Sequence, residues 1–533
     1  MHHLQRCWKS GLFYEVYLRS FQDSNGDGIG DLAGAALRVP YVAWLGVDAI
    51  WIAPFYQSPM RDFGYDISDY CAIDPIFGTL ADFDRLAATA HAHGLKIILD
   101  FVPSHTSDQH PWFAEARARR DSPKRDWYCW HEPRQDGGPP NNWLSMFGGS
   151  AWELDACTNQ YYLHTFLKEQ PDLNWRNPEV RTAMFEAMRF WLDRGVDGFR
   201  VDVIYALLKD ELLRDDPPNP AFQPGDNPYE SLLHERSLES PDIHGVLREM
   251  RQVLSSYPGE RVLIGETFHL STLERFVSYY GASLDECHLP FNFQLIVKAW
   301  EPQVIRAFVE AYERALPAGA WPNWVLGNHD QHRIATRAGG PAQAKVAQML
   351  LLTLRGTPTC YYGDELGMAD VPVAPQDQRD PYGRRVPGQG RDPARTPMLW
   401  DGLPHAGFST AKPWLPIADG WQTLNVAAQQ ANATSMLTLF RALVALRRAL
   451  PALHIGSYRS VACEPDSVFA YLREHGDERI LVVLQFGAEP CAIDAAMVGA
   501  QGQVLVSTYL DRAGSIALER IQLRAHEGLI IRV

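Results

Sequence analysis

Four short runs of this chain end an apolar stretch in residues that can attack, donate protons or hold hydroxyls. DFVPSH at 100–105 carries Asp100 and His105, and GFRVDV at 198–203 carries Arg200 and Asp202. IGET at 264–267 carries Glu266, and GNHD at 327–330 carries His329 and Asp330. Three carboxylates around one pocket suit cleavage of a glycosidic bond. One ionised carboxylate attacks the anomeric carbon, and a second, with a raised pKa, protonates the leaving oxygen. A third anion stabilises the oxocarbenium-like transition state or holds sugar hydroxyls. Arg200 lies two residues before Asp202, on the same face of a strand, where it can pair with Asp202 and keep it ionised. A single acid in such a run reads as a cap or a surface charge; three acids in contexts this apolar do not.

These residues come from distant stretches, so a scaffold must gather them. Eight β-like runs alternate with helical ones: Leu12–Tyr17, Val47–Phe55, Lys96–Val102, Gly198–Val203, Val262–Thr267, Cys287–Phe293, Trp324–Asn328 and Pro358–Asp364. Most are continuously apolar, as strands buried on both faces are. Helices are expected at 82–93, 179–194, 242–256, 341–355 and about 434–449; the second opens on Asn177-Pro178 and is closed by Gly195. The expected fold is α/β, a (β/α)8 barrel over 1–103 and 175–455. A loop-rich subdomain rich in Trp, Gly and Asn is inserted at 104–174, and a β-sandwich follows at 456–533. Loops after barrel strands form the functional face, which is where the four runs end.

Composition narrows the partners. With 46% hydrophobic and 21% charged residues the chain reads as globular, not disordered or fibrous. Its net charge of −15 argues against nucleic acid or an anionic membrane as partner. The eight cysteines, at 7, 71, 129, 157, 287, 360, 463 and 491, form no CxxC pair and are expected to be reduced thiols. The N-terminal stretch lacks a signal-peptide pattern, and no apolar run reaches the ~18 residues of a membrane span. A soluble, cytoplasmic monomer or homodimer is expected.

Taken in order, DFVPSHTS, GFRVDV, IGET and GNHD resemble the motif set of the α-amylase family, glycoside hydrolase family 13. QPDLNW at 170–175, GYDISDY at 64–70 and RTPMLW at 395–400 resemble its α-glucosidase and oligo-1,6-glucosidase branch. The resemblance implies a retaining mechanism with Asp202 as nucleophile, Glu266 as acid/base and Asp330 as transition-state stabiliser. It implies that Asp62, Tyr65, His105, Arg200, His329 and Arg391 hold the non-reducing glucose, with Phe147, Phe166 and Phe293 lining the same pocket. Tyr65 offers an aromatic face to a pyranose ring, and the histidines can hydrogen-bond hydroxyls. An Asp62–Arg391 wall would limit the pocket to one sugar and make the enzyme exo-acting. Val203, beside the nucleophile, resembles a linkage selector; Val at that position leans to α-1,6, yet the sequence after it departs from the oligo-1,6-glucosidase pattern, and α-1,4 is expected. Substrates would be maltose, short malto-oligosaccharides and other α-glucosides, with transglucosylation competing. Sucrose- or trehalose-acting enzymes and a non-catalytic transporter-associated module are the alternatives; the module fits poorly with three retained acids and no anchor.

DSNGDGIGD at 23–31 sets Asp23, Asn25 and Asp27 at alternating positions, then Ile29 with its carbonyl, then Asp31. This follows an EF-hand loop to its ninth position, but the twelfth is Gly34. A structural Ca2+ loop is expected, with Mg2+ as the alternative ion and a metal-free Asp/Asn/Gly turn as the bland reading.

Overall fold

The computed structural model describes residues 7–268, 270 and 272–533. The eight apolar runs form eight parallel strands, β1 (Phe13–Val16), β2 (Ala49–Ile52), β3 (Lys96–Phe101), β4 (Gly198–Val201), β5 (Val262–Glu266), β6 (Leu289–Phe291), β7 (Asn323–Val325) and β8 (Thr357–Tyr361). Their order is β6-β5-β4-β3-β2-β1-β8-β7, and β6 touches β7 without a hydrogen-bonded ladder, so the barrel closes at that seam. Most strands are shorter than the runs that announced them, because the residues at the run ends have already turned into loops.

Strand alternation separates two environments. Phe13, Ala49, Trp51, Ile98, Ile264, Phe291 and Val325 point inward and form one apolar cluster. Tyr14, Ile50, Leu99, Phe199 and Leu263 point outward, into the layer under the helices. The inward faces continue toward the strand C-termini with Glu15, Asp100, Arg200, Asp202 and Glu266. Register sets Arg200 level with Asp100 on one side and Ile264 on the other.

Helices α1 (Leu32–Leu45), α2 (Leu80–Ala92), α3 (Pro178–Asp193), α4 (Ile243–Ser255), α5 (Leu273–Ser278), α6 (Pro302–Ala315), α7 (Pro341–Thr353) and α8 (Met436–Ala449) surround the strands. In α3 the Asn177 side chain caps the Glu179 N–H, Pro178 occupies the first turn, and Val180, Met184, Ala187, Met188, Trp191 and Leu192 are buried. Trp191 packs on Phe55, Tyr56 and Phe83, and its Nε1–H donates to the Tyr70 carbonyl at 2.8 Å. It thus ties α3 to the hairpin Tyr56–Gln57/Asp69–Ile73, whose loop carries Asp62 and Tyr65.

Between β3 and α3 lies a three-stranded sheet, ordered Trp130–His131, Gln160–Leu163, Trp152–Asp155, with its own core of Trp143, Ala151, Trp152 and Leu163. A bridge between His105 and Asp172 and a 2.7 Å bond from Trp175 Nε1 to the Pro103 carbonyl pin both its ends to the barrel rim. From Ser457 to Arg532 the chain forms a six-stranded antiparallel sheet and a two-stranded one around a separate core. Buried Arg473 of the C-terminal sheet donates to the Thr353 carbonyl at the end of α7 and so joins barrel and C-terminal domain, while Arg447 in α8 donates to the carbonyls of Leu352, Leu354, Leu453 and Gly356. No helix among the described residues is long and apolar enough to cross a membrane.

Trp191→Ala should open a cavity and orphan the Tyr70 carbonyl, costing about 3–5 kcal/mol. The measurement is the urea unfolding midpoint; an unchanged midpoint would mean that α3 does not brace the hairpin.

Candidate active site

The inward polar residues meet around one guanidinium. Arg200 is fully buried; its Nη1 lies 2.8 Å from Asp100 Oδ1 and 2.6 Å from Asp202 Oδ1, and its Nη2 lies 2.7 Å from Glu266 Oε2. Glu266 Oε2 also accepts the Val203 backbone N–H at 3.0 Å. That bond requires an unusual backbone: Val203 has φ +37°, a left-handed conformation that strains a β-branched residue. The strain turns the chain sharply after Asp202 and aims an N–H at the second acid.

One cation among three carboxylates leaves the cluster short of positive charge. Burial, then the neighbouring Glu266 carboxylate, pushes the Asp202 pKa well up, against the opposing pull of Arg200. Side-chain contact with Glu266 adds a further, smaller push in the same direction. Burial also raises Asp100, to about 6, although Arg200 and the Tyr65 hydroxyl favour its charge.

Asp330 has the opposite setting. Its Oδ1 lies 2.8 Å from Arg395 Nη2 and 3.2 Å from Arg391 Nη1, and its Oδ2 lies 3.2 Å from His329 Nε2. Burial works against its ionisation, but His329 first, then Arg391 and Arg395, hold its pKa below the usual carboxylate range. Its side chain is 26% exposed, against 9% for Asp202 and 7% for Glu266, so it reaches furthest into the open space.

That space is a cavity of about 350 Å³, at the small end for ligand sites. The three acids line it, as do Asp62, Tyr65, His105, Val203 and Arg391. Phe147, Phe166 and Phe293 supply its aromatic walls. Arg391 spans the far side, with Nη2 2.6 Å from both Asp62 Oδ1 and Asp380 Oδ1. Tyr65 has one face stacked near His329, at 5.5 Å between ring centroids and 18° between planes. Arg200 and His329, expected to touch the sugar, lie fully buried and are not among the cavity-lining residues. They lie beneath the acids, Arg200 on β4 facing the barrel axis and His329 in the loop after β7.

Sequence reasoning passed over several lining residues. Gln170, within QPDLNW, donates to Asp62 Oδ2 at 3.3 Å, and Arg395, which opens the RTPMLW motif, supports the lining Asp330 from behind; both sat in runs recognised without their side chains being assigned work. Tyr382 stacks on Phe147 at 4.7 Å and accepts a 2.9 Å bond from Asn227 Nδ2. Those two belong to irregular excursions after β8 and β4, where no periodicity marks a pocket wall.

A model of the α-amylase catalytic domain matches residues 15–456. The chain belongs to the α-amylase family. It is 43% identical over 521 residues to a protein of Rhizobium meliloti strain 1021 named "Probable alpha-glucosidase", covering 95% of this chain and 94% of that one. It is 37% identical to the oligo-1,6-glucosidase of Bacillus cereus, over 99% of this chain and all of that one. The crystal structure of the α-glucosyl transfer enzyme XgtA superposes with a TM-score of 0.94 at 43% identity, covering 99% of each chain. The protein is therefore a glycoside hydrolase of this family, and its barrel with a C-terminal antiparallel domain is the family architecture.

The 23–31 loop lies apart from the cavity. Asp23 Oδ1 accepts the N–H groups of Asn25 and Gly26, and Oδ2 accepts from Gly28 N–H and Ser409 Oγ. Burial opposes its charge, yet these four donors hold its pKa low. Gly28 has φ +88°, and a Cβ there would meet the Lys412 carbonyl oxygen at 2.2 Å. Asp31 caps α1 through Gly34 N–H and also takes both the N–H and the hydroxyl of Ser24. Among the described residues no three acidic, His or Cys side chains converge as a metal-holding group. A cation here would rest on a mixed oxygen set of Asp23, Asn25, Asp27, the Ile29 carbonyl and Asp31, a set that suits a hard ion.

Asp100 adds negative charge beside Asp202 and raises its pKa further. Asp100→Asn should move the limb of the kcat/KM–pH profile that Asp202 sets down by about one pH unit. A limb that stays in place would separate Asp100 from Asp202.

Proposed function

We propose that the protein is a retaining, exo-acting α-glucosidase that removes terminal α-linked glucose from short oligosaccharides, with glucosyl transfer to sugar hydroxyls as a competing outcome. The observation that carries this reading is the Asp202–Glu266 pair gripped by one guanidinium, with ionised Asp330 reaching into the same small cavity. Two carboxyl groups held by one guanidinium fit the short spacing of retaining enzymes better than the wide one of inverting enzymes.

In this reading Asp202 Oδ attacks the anomeric carbon while the bond from that carbon to the aglycone oxygen breaks. Glu266, as the acid, gives its proton to the leaving oxygen. A glucosyl ester on Asp202 results. Glu266, now ionised, takes a proton from water as the water oxygen bonds to the anomeric carbon and the ester bond breaks, which regenerates the pair. A sugar hydroxyl in place of the water gives transfer, an outcome in keeping with the similarity to XgtA. Asp330 faces the positive charge that develops on the ring. Phe147, Phe166 and Phe293 exclude water around it, and His105 and Asp62 offer polar groups to hydroxyls.

The Asp62–Arg391–Asp380 bridge supports exo action, since it closes the cavity on the side away from the entering chain. Val203 lines the pocket beside the nucleophile, and α-1,4 linkages in maltose and short malto-oligosaccharides are the proposed preference. The relatives' names cover both α-glucosidases and oligo-1,6-glucosidases, so the ratio of rates on maltose and isomaltose decides the linkage.

Asp202→Asn should lower kcat on p-nitrophenyl α-glucoside by about 10⁴-fold or more. Folding should survive, because Arg200 keeps Asp100 and Glu266 as partners; the far-UV circular dichroism and Tm report this. Retained turnover would remove Asp202 from the nucleophile role. Activity on starch that exceeds activity on the aryl glucoside would discard exo action.

We propose further that the 23–31 loop holds a structural Ca2+, which would neutralise its carboxylates and take no part in bond cleavage. Chelation should then lower Tm by a few degrees, with recovery on adding Ca2+. An unaltered Tm would leave the loop a metal-free turn.

A further inference from the structure

Glu15 is a buried acid that the reaction above does not use. It lies on the inward face of β1 and is fully shielded from solvent. Its Oε1 sits 2.5 Å from His329 Nδ1 and 3.3 Å from the His329 backbone nitrogen. Its Oε2 is buried with no hydrogen-bond partner among the described residues. The other ring nitrogen of His329, Nε2, lies 2.6 Å from the Tyr65 hydroxyl and 3.2 Å from Asp330 Oδ2. The imidazole is held between the rings of Tyr17 and Tyr65, each 5.5 Å away and within 18° of parallel.

Protons can be counted along this chain. Tyr65 has one hydroxyl proton, and it goes to Asp100 Oδ2 at 2.9 Å. The Tyr65 oxygen can then only accept from Nε2. Asp330 is ionised and can only accept as well. Nε2 therefore faces two acceptors and must carry a proton; the other tautomer would set its lone pair against the Asp330 carboxylate. With Nε2 protonated, a neutral imidazole presents a bare Nδ1 to Oε1, and a contact of 2.5 Å then needs a proton on the glutamate. The remaining arrangement, an imidazolium between two carboxylates, is opposed by burial, which takes the His329 pKa down to about 3.

The charge around Glu15 agrees. Arg200, Asp330 and Asp100 face it, as do Cys360 and Tyr361 from β8. The sole cation of that set, Arg200, is already in contact with Asp100, Asp202 and Glu266. Burial raises the Glu15 pKa well above its ordinary value. An ionised carboxylate would also leave charge on the unpartnered Oε2, whereas a protonated acid leaves only a carbonyl oxygen there.

We infer that Glu15 is a positioning residue held as a neutral carboxylic acid, donating Oε1–H to His329 Nδ1 and so keeping the ring proton on Nε2, which faces the Tyr65 oxygen at 2.6 Å and Asp330 Oδ2 at 3.2 Å. The inference rests on the proposed role of Asp330 at the anomeric centre. Glu15→Val, which cannot donate, should lower kcat on an aryl α-glucoside roughly 10- to 100-fold with KM changed little. Glu15→Gln supplies an amide N–H in the same place and removes no charge if the acid is neutral. It should recover most of the lost kcat and leave both limbs of the pH profile where the wild type has them. A limb displaced by a pH unit or more, a Glu15→Gln chain that does not fold, or an unimpaired Glu15→Val enzyme would overturn the inference. Infrared spectroscopy reads the same proton without any substrate. The wild-type-minus-Glu15→Gln difference at neutral pH should contain the carbonyl stretch of a protonated carboxylic acid, and carboxylate bands in its place would also overturn the inference. Absence of any aryl-glucosidase activity in the wild type would count against the proposed function, while the infrared result still decides the state of Glu15.

Discussion

The site depends on one guanidinium buried in a barrel. Arg200 is withdrawn from water and must replace its hydration with protein acceptors, and three carboxylates from β3, the end of β4 and β5 supply them. Burying such a group is costly, and ion pairs in a low-dielectric interior repay the cost only when geometry is good. The barrel provides that geometry. Strand register fixes Arg200 beside Asp100 before any side chain chooses a rotamer, and the two-residue repeat places Asp202 on the same face. The imbalance of one cation for three acids then shows in Asp202, whose pKa is pushed well up by burial and by the Glu266 carboxylate against the pull of Arg200.

The outer half of the site follows from a second cation. Arg391 reaches Asp62 on the hairpin after β2, Asp380 in the excursion after β8 and Asp330 after β7. Three loops that share no backbone ladder are thus drawn to one point. Aromatic contact adds to this, since Phe147 of the inserted subdomain lies against both Arg391 and Tyr382. The pocket is small because these loops are pulled together by charge, not because the barrel itself is narrow.

Much of this was legible in the sequence, for a specific reason. Strands buried on both faces are written as nearly unbroken apolar runs, so a polar residue within or just after one stands out. Asp100, Arg200, Asp202, Glu266, His329 and Asp330 were all visible in this way. Glu15 was not singled out, although it also interrupts an apolar run, because it lies inside β1 and the residues read for chemistry were gathered around the ends of runs. Direction was harder to read than position. Arg200 and His329 were expected to meet the sugar, but a residue that faces the barrel axis one level below the rim meets its neighbours' side chains first. Tyr382 and Asn227 were illegible because irregular segments carry no period, and their contact exists only once two excursions from opposite parts of the chain have folded over the same rim.

The interior polar residues form one connected system, and Tyr65 is its joint. Its hydroxyl touches Asp100, in the Arg200 group, and His329, in the group that supports Asp330. A hydroxyl has a single proton to give, so the direction of that one bond couples the two halves. Given to Asp100, it leaves the Tyr65 oxygen as an acceptor, which in turn requires a proton on His329 Nε2 and sets the ring against Glu15. The Arg200 group and the Asp330 group therefore cannot choose their proton positions independently. Within a single buried network, each group's state then removes alternatives for the next.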